Sequence, residues 1–246
     1  MTDTILDVNT VFGLWPRREV DASLPALLRI RERTGITAMC SLSTRGIFHD
    51  AARGNDETLA ASKENPSIIP VATLDLRELN DLEAEVHKRK EQGFKFIRLF
   101  REYQGWPMDY RPFNDLLRAL EHQRLPMYVT VTALGDMTRL GKSLWGCTFP
   151  VIVGGVNASF ASLFAEAISV AALREALYLD TQRFDSVDAY EIFAEKLGAS
   201  RLIFGSGAPL CYAESALNAL KTSTLKPKDK ELVLHKNLER VLHGGA

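Results

Sequence analysis

No charge of either sign dominates this 246-residue chain: 30 lysines and arginines stand against 31 aspartates and glutamates. A nucleic-acid or anionic membrane surface calls for a basic excess or stripe, so neither is expected as a partner, and small molecules or protein surfaces remain. No apolar run approaches the ~20 residues of a membrane span. The opening Met1-Thr2-Asp3-Thr4 lacks the basic and apolar regions of a signal peptide. A cytoplasmic, reducing location is therefore expected. Three cysteines, Cys40, Cys147 and Cys211, form neither an even set nor a CxxC pair, which argues against a disulfide framework and a structural zinc site. Histidine is scarce too. Of five, His87, His122, His235 and His243 fall in helical patterns, and only His49 follows a strand. A catalytic zinc centre needs about three converging ligands, so no His-rich metal site is expected. A carboxylate set of Asp75, Glu102 and Asp180 is disfavoured because their strands are not neighbours. No metal and no other cofactor is assigned.

What is present is alternation. Short β-rich runs cover Thr4 to Val11, Ile36 to Leu42, Ile68 to Leu74, Phe94 to Phe100, Pro126 to Thr132, Val151 to Val156, Ala176 to Thr181 and Arg201 to Ser206. Between them, apolar residues recur at three- and four-residue spacing, as in Leu24, Leu27 and Leu28, or Leu79, Leu82 and Val86, the mark of amphipathic crossover helices. Caps are expected at Asn55, Asn80, Ser159 and Ser186, and stops at Gly35, Gly93 and Gly198. Eight repeats with no linker or composition shift predict one α/β domain over 1–246, a parallel (β/α)8 TIM barrel. Repeat counting alone leaves a doubly wound open sheet as the alternative. A last helix is expected over Glu231 to Leu242.

Three segments carry a resemblance. Asp7-Val8-Asn9-Thr10-Val11-Phe12-Gly13 ends the first strand, Leu125-Pro126-Met127-Tyr128-Val129-Thr130 forms the fifth, and Phe204-Gly205-Ser206-Gly207-Ala208-Pro209 ends the last. Together with Asn237-Leu238-Glu239-Arg240-Val241-Leu242, they resemble the amidohydrolase superfamily in its amidohydrolase-related branch, over nearly the whole chain. That branch has His-x-His in the first segment, a His in the second and Ser-Asp-Ala-Pro in the third. Here the matching positions are Asn9, Val11, Thr130 and Gly207. The frame is kept and the metal ligands are substituted. Gly207 also removes the Asp that the family uses to activate water.

In a (β/α)8 barrel the site is built at the C-terminal ends of the strands, so candidates are taken from there. Asn9, able to donate and accept hydrogen bonds, is expected to orient a substrate, with Thr130 opposite. Asp180 and His49 are the candidate proton-transfer groups. Arg45, Arg98 and Arg183 are the candidate anion binders. Arg98, inside a strand, is weighed more heavily as a structural cation paired with Asp7 or Asp75, and Arg45 and Arg183 more heavily as ligand contacts. Gln182 and Asn157 complete the substrate set, Asn157 within a glycine-led turn whose amides can face an anion. Cys211 is read as a plain small residue, and Trp15 and Trp106 as loop aromatics that wall a pocket or pack the loops together. Two functions fit these residues: a metal-independent hydrolase or decarboxylase-like lyase acting on a small carboxylate or carbonyl compound, and a catalytically inactive binding or interaction protein. The ligand expected is small and anionic; a homodimer is compatible with the fold.

Overall fold

Asn9, Arg98, Tyr128 and Asp180 come together because the sheet closes on itself. The computed structural model describes residues 4–78 and 81–244. Each expected strand is present, inside its predicted range but shorter: β1 Leu6–Asp7, β2 Ala38–Ser41, β3 Ile68–Pro70, β4 Ile97–Leu99, β5 Met127–Thr130, β6 Val151–Gly154, β7 Leu177–Asp180 and β8 Leu202–Ile203. All pairing is parallel and sequential, in one ladder β1-β2-β3 and another β4-β5-β6-β7-β8. Both seams between the ladders are joined. Ala72 bridges Ile97, with Arg98 N donating to Ala72 O at 2.8 Å. On the other side Val8 N donates to Phe204 O at 3.0 Å and Gly207 N to Asn9 O at 2.9 Å. This is a (β/α)8 barrel, and the open-sheet alternative is excluded.

Strand alternation sorts the side chains. Cys40, Val71, Phe96, Tyr128, Ile152, Tyr178 and Ile203 pack with one another in the interior. Met39, Ile68, Ile97, Met127, Val129, Val151, Val153 and Leu202 belong to the layer under the helices. The first strand breaks the pattern at a bend on Val8: Leu6 and Val8 pack inside, yet Asn9 and Val11 line the cavity above. Crossover helices follow as α1 Leu24–Thr34, α2 Ala51–Glu64, α3 Leu82–Glu91, α4 Arg111–Gln123, α5 Asp136–Ser143, α6 Ala161–Ala172, α7 Ala189–Leu197 and α8 Ala213–Thr222.

Three of the expected caps are corrected. Helix α2 starts earlier, on Asp50, whose Oδ1 accepts from Arg53 N at 3.0 Å. Asn55 is instead buried within the helix and exchanges two 2.9 Å hydrogen bonds with the Thr73 backbone. Phe160 rather than Ser159 precedes α6, and Asp188 rather than Ser186 precedes α7. Leu79 and Asn80 lie outside the described residues; Asp81 caps α3, accepting from Ala84 N at 3.1 Å. Gly35, Gly93 and Gly198 all take positive φ where their helices end, as expected of glycine stops.

The expected final helix is three pieces: a turn at Pro227–Glu231, a π-type segment Leu232–Lys236, and Asn237–Leu242. Leu238 and Val241 enter the interior cluster and seal the N-terminal end of the barrel. Buried Asn237 ties this plug down, its Nδ2 donating to Ala199 O at 2.9 Å and Leu202 O at 2.7 Å. Asn237→Ala removes the side-chain donor from the Leu202 carbonyl and leaves the Ala199 carbonyl with the Leu202 N–H, and is expected to cost about 1–3 kcal/mol, measurable as a lower urea midpoint at unchanged m-value. Among the described residues no helix is long and apolar enough to cross a membrane.

Candidate functional site

At the C-terminal ends of the strands lies a cavity of about 280 Å³. Asn9 and Val11 face it from beyond β1, Arg98 and Phe100 from β4, Tyr128, Thr130 and Thr132 from β5, and Gln182 and Gly207 from the last two loops. Trp15 and Tyr103 close one side. They form an aromatic cluster with Phe48, with ring centroids 5.1 to 5.6 Å apart, that locks together the loops after β1, β2 and β4.

A hydrogen-bonded network forms the floor. Asp180 Oδ2 accepts from Asn9 Nδ2 and from Tyr128 Oη, both at 2.6 Å, and its Oδ1 accepts from Gln182 N at 2.9 Å. Asn9 Nδ2 donates again to Gln182 Oε1 at 3.0 Å, and Gln182 Nε2 donates to Cys211 Sγ at 3.4 Å. Burial raises the Asp180 carboxyl above the usual range, while Tyr128, Gln182, Asn9 and Arg98 draw it back. Tyr128 is held far above its ordinary value by the same burial and by the Asp180 charge. Glycine makes room for this network. A Cβ on Gly154 would lie 1.8 Å from Tyr128 Oη, and one on Gly205 2.0 Å from Asp180 Oδ1.

A second buried carboxylate sits beside it. Asp7 Oδ1 accepts from Asn9 N and Ser206 N, each at 3.0 Å, and Oδ2 accepts from Ser206 Oγ at 2.5 Å. Complete burial pushes Asp7 up to about 7, against the pull of those donors, and the Asp180 charge adds to the rise.

Arg98 is the electrostatic centre of the cavity. Its guanidinium carbon lies 4.5 Å from the Tyr128 ring centroid and 4.8 Å from that of Phe100, geometry that gives the cation a π surface on each side. Only 8% of the residue is exposed, and its Nε and Nη1 have no hydrogen-bond partner among the described residues. The expected pairing with Asp7 or Asp75 is absent: Asp7 is engaged by Ser206, and Asp75 is paired with Arg77 at 2.6 Å. The neighbouring Arg101 differs, because Asp136 takes its charge. An unpaired buried guanidinium is costly. Glu102 also lines the cavity. Desolvation on the protein side raises its carboxyl above the usual range, with Arg101 and Arg98 opposing.

The structure brings together Asn9, Arg98, Thr130, Gln182 and Arg183, the last exposed at the rim. Asp180 lies directly beneath, behind Asn9 and Tyr128, with its oxygens occupied. The other candidates lie elsewhere. Arg45 pairs with Glu57 at 3.1 Å, and His49 is exposed on the turn after β2; neither lines the cavity, so the relative weights given to Arg45 and Arg98 are reversed. The short helical turn Arg45–Phe48 directs the chain away from the mouth. Asn157 turns back on its own loop, accepting from Ser159 N at 3.0 Å. Trp106 bonds Gln104 and stacks on Tyr110 in the outer layer, so it packs loops, whereas Trp15 walls the cavity. Tyr128 was missed as a site residue, although its position two before Thr130 on the same strand gave the signal.

The residues at the positions compared above with metal ligands do not suit a metal. Asn9 and Thr130 are neutral, Asp180 already accepts from three donors, and Arg98 places a cation in the wall. Among the described residues no group of three or more His, Cys, Asp or Glu could hold an ion. At the third motif Gly207 takes φ +73°, and a Cβ there would fall 2.2 Å from Gln182 Nε2. Gln182 thus fills the space that a carboxylate at this position would need. Gly207→Asp is expected to lower the melting temperature, through left-handed strain of roughly 1–2 kcal/mol plus the clash, and to gain no shift with added Mn²⁺ or Zn²⁺ in a thermal melt.

No family model matches the sequence, and no curated protein matches it. The fold has many counterparts. An uncharacterized TIM-barrel protein from Bordetella bronchiseptica superposes with a TM-score of 0.77 at 17% identity, over 98% of this chain and 99% of that one. A probable 2-pyrone-4,6-dicarboxylic acid hydrolase from Acinetobacter baumannii, with citric acid bound, gives 0.76 at 17% identity over 98% and 99%. The 5-carboxyvanillate decarboxylase of Novosphingobium aromaticivorans, complexed with manganese and a nitrobenzoic acid, gives 0.74 at 15% identity over 98% and 96%. The (β/α)8 barrel read from the sequence is therefore shared with these proteins.

Proposed function

We propose that this protein binds a small carboxylate in the barrel cavity, with Arg98 in the anchoring role that a metal would otherwise have, and acts on it as a metal-independent hydrolase or decarboxylase-like lyase. The unpaired guanidinium of Arg98 in the cavity wall carries this reading, because carboxylate is its natural complement. The volume supports it: at ~30 Å³ per water-sized group, the cavity admits a ligand of roughly ten heavy atoms. Two of the structurally similar proteins were crystallised with small carboxylic acids, citric acid in one and a nitrobenzoic acid in the other.

For chemistry, Glu102 is the carboxyl in the cavity wall itself. Its carboxyl stands above the usual carboxylate range and is exposed at the cavity, so it can exchange a proton with a bound ligand. Asp180 fits a positioning role, fixing Asn9 and Tyr128. Arg183 at the rim adds a second cation for a ligand that extends outward. Expected in a screen of small carboxylates is saturable binding by calorimetry, together with slow turnover of the cognate compound that Glu102→Gln abolishes while its affinity is retained. Turnover that survives in Glu102→Gln would remove Glu102 from the mechanism.

A second reading, a binding protein without turnover, draws on the floor, where Asp180 is engaged by Asn9, Tyr128 and Gln182 and does not itself line the cavity. Ligand-specific thermal stabilisation with no product from any stabilising compound would favour it.

A further inference from the structure

The donors on the cavity floor are committed, and the acceptor is not. Asn9 Nδ2 gives one hydrogen to Asp180 Oδ2 at 2.6 Å and the other to Gln182 Oε1 at 3.0 Å. Its orientation is chemically fixed, since exchanging nitrogen and oxygen would set Oδ1 2.6 Å from a carboxylate oxygen, acceptor against acceptor. The Asp180 carboxylate is held in acceptor form by three donors, Tyr128 Oη among them. The Asn9 backbone is pinned as well, with its carbonyl accepting from Gly207 N at 2.9 Å. Both N–H bonds therefore point into protein, and Asn9 Oδ1, with no donor to it among the described residues, is the part of this amide left for the cavity that Asn9 lines. Arg98, across the same cavity, offers only donors.

Building on the carboxylate reading above, we infer that the cavity selects small hydroxy-carboxylates: the carboxylate meets Arg98, and a hydroxyl on the same molecule donates to Asn9 Oδ1. A methyl ether or an unsubstituted acid leaves that oxygen desolvated without a donor, a loss comparable to an unsatisfied buried acceptor. An ammonium in the hydroxyl's place is disfavoured, because Arg98 repels a second cation and Asp180, held beneath Asn9 and Tyr128, does not line the cavity to offset that repulsion. Asn9 is thus a specificity-determining residue that reads the presence of a donor, while Arg98 reads the charge.

The test is calorimetric titration of the full chain with matched sets: lactate against propionate, and mandelate against phenylacetate, O-methylmandelate and phenylglycine. Expected is binding of at least one hydroxy acid roughly tenfold or more tighter than its deoxy and methoxy partners, the fold-change of about one lost hydrogen bond. Asn9→Ala should bring the hydroxy acid down to the affinity of its deoxy partner and leave the latter unchanged. Should that variant not fold, the hydroxy, methoxy and deoxy comparison on the unaltered protein still decides. Equal affinity within both matched sets, or phenylglycine binding tighter than mandelate, overturns this inference while leaving carboxylate binding through Arg98 in place. Failure of every carboxylate to bind overturns both.

Discussion

Arg98→Met is expected to weaken carboxylate binding roughly 100-fold, within the 2–5 kcal/mol range for truncating a buried charge contact, while leaving the folded protein at least as stable. The two halves of that result separate a ligand-binding arginine from a structural one. A buried cation that holds the fold through an ion pair costs ~3–5 kcal/mol when one partner is removed. Among the described residues Arg98 has no such partner: Nε and Nη1 are unbonded, and the carboxylates expected to pair with it, Asp7 and Asp75, are taken by Ser206 and Arg77. Methionine keeps the apolar stem between the rings of Phe100 and Tyr128 and removes the desolvated charge. The gain from that removal opposes the loss of two cation–π contacts, each worth ~0.5–2 kcal/mol. Paired urea denaturation and calorimetry check this. A variant several kcal/mol less stable with unchanged affinity would make Arg98 structural.

The second large effect concerns Asp7 and pH. Its folded-state pKa of about 7 stands above the ordinary value of 3.8. A carboxyl whose pKa is raised by folding favours the folded state fully below the ordinary value and loses that contribution as pH climbs through about 7. Stability should therefore fall between about pH 4 and pH 7 and level off above it. Asp180 and Glu102, both raised, act in the same direction. Asp7→Asn abolishes the Asp7 share. An amide at this position keeps an oxygen for the backbone N–H groups of Asn9 and Ser206 and turns a donor toward Ser206 Oγ. The variant should match the unaltered protein near pH 4 and exceed it at pH 8 by up to a few kcal/mol, at about 1.36 kcal/mol per pKa unit. Denaturation midpoints measured at both values check this; a variant less stable at pH 8 would show that the carboxylate form is the one the fold prefers.

How much of this was legible in the sequence follows from the length scale of each signal. Strand positions are local, so the alternation of residues such as Met127, Tyr128 and Val129 located β5, and eight such repeats favoured the barrel while closure itself is seen only in the seams at Ala72–Ile97 and Val8–Phe204. Motif positions were legible too: Asn9, Thr130 and Gly207 meet at one cavity because each stands at or just past the C-terminal end of its barrel strand. Pairing was not legible. That Arg101 finds Asp136 while Arg98 finds nothing depends on where α5 begins, 35 residues downstream of Arg101. Arg45 and Arg98 were misjudged for that reason. The bend at Val8 could not be read either, since strict alternation would group Asp7 with Asn9, whereas Asp7 bonds Ser206 and Asn9 lines the cavity. Helix starts at Asn55, Ser159 and Ser186 failed because cap-forming residue types also serve in loops and, at Asn55, inside a helix against the Thr73 backbone.

The most direct test of the central claim, that this barrel holds a small carboxylate on Arg98 without a metal, is calorimetric titration of chelator-treated protein with mandelate, repeated with added Mn²⁺ and with Arg98→Met. The account expects one site per chain, an affinity unchanged by the metal, and loss of binding in the variant. Binding that requires Mn²⁺ and survives in Arg98→Met would contradict it.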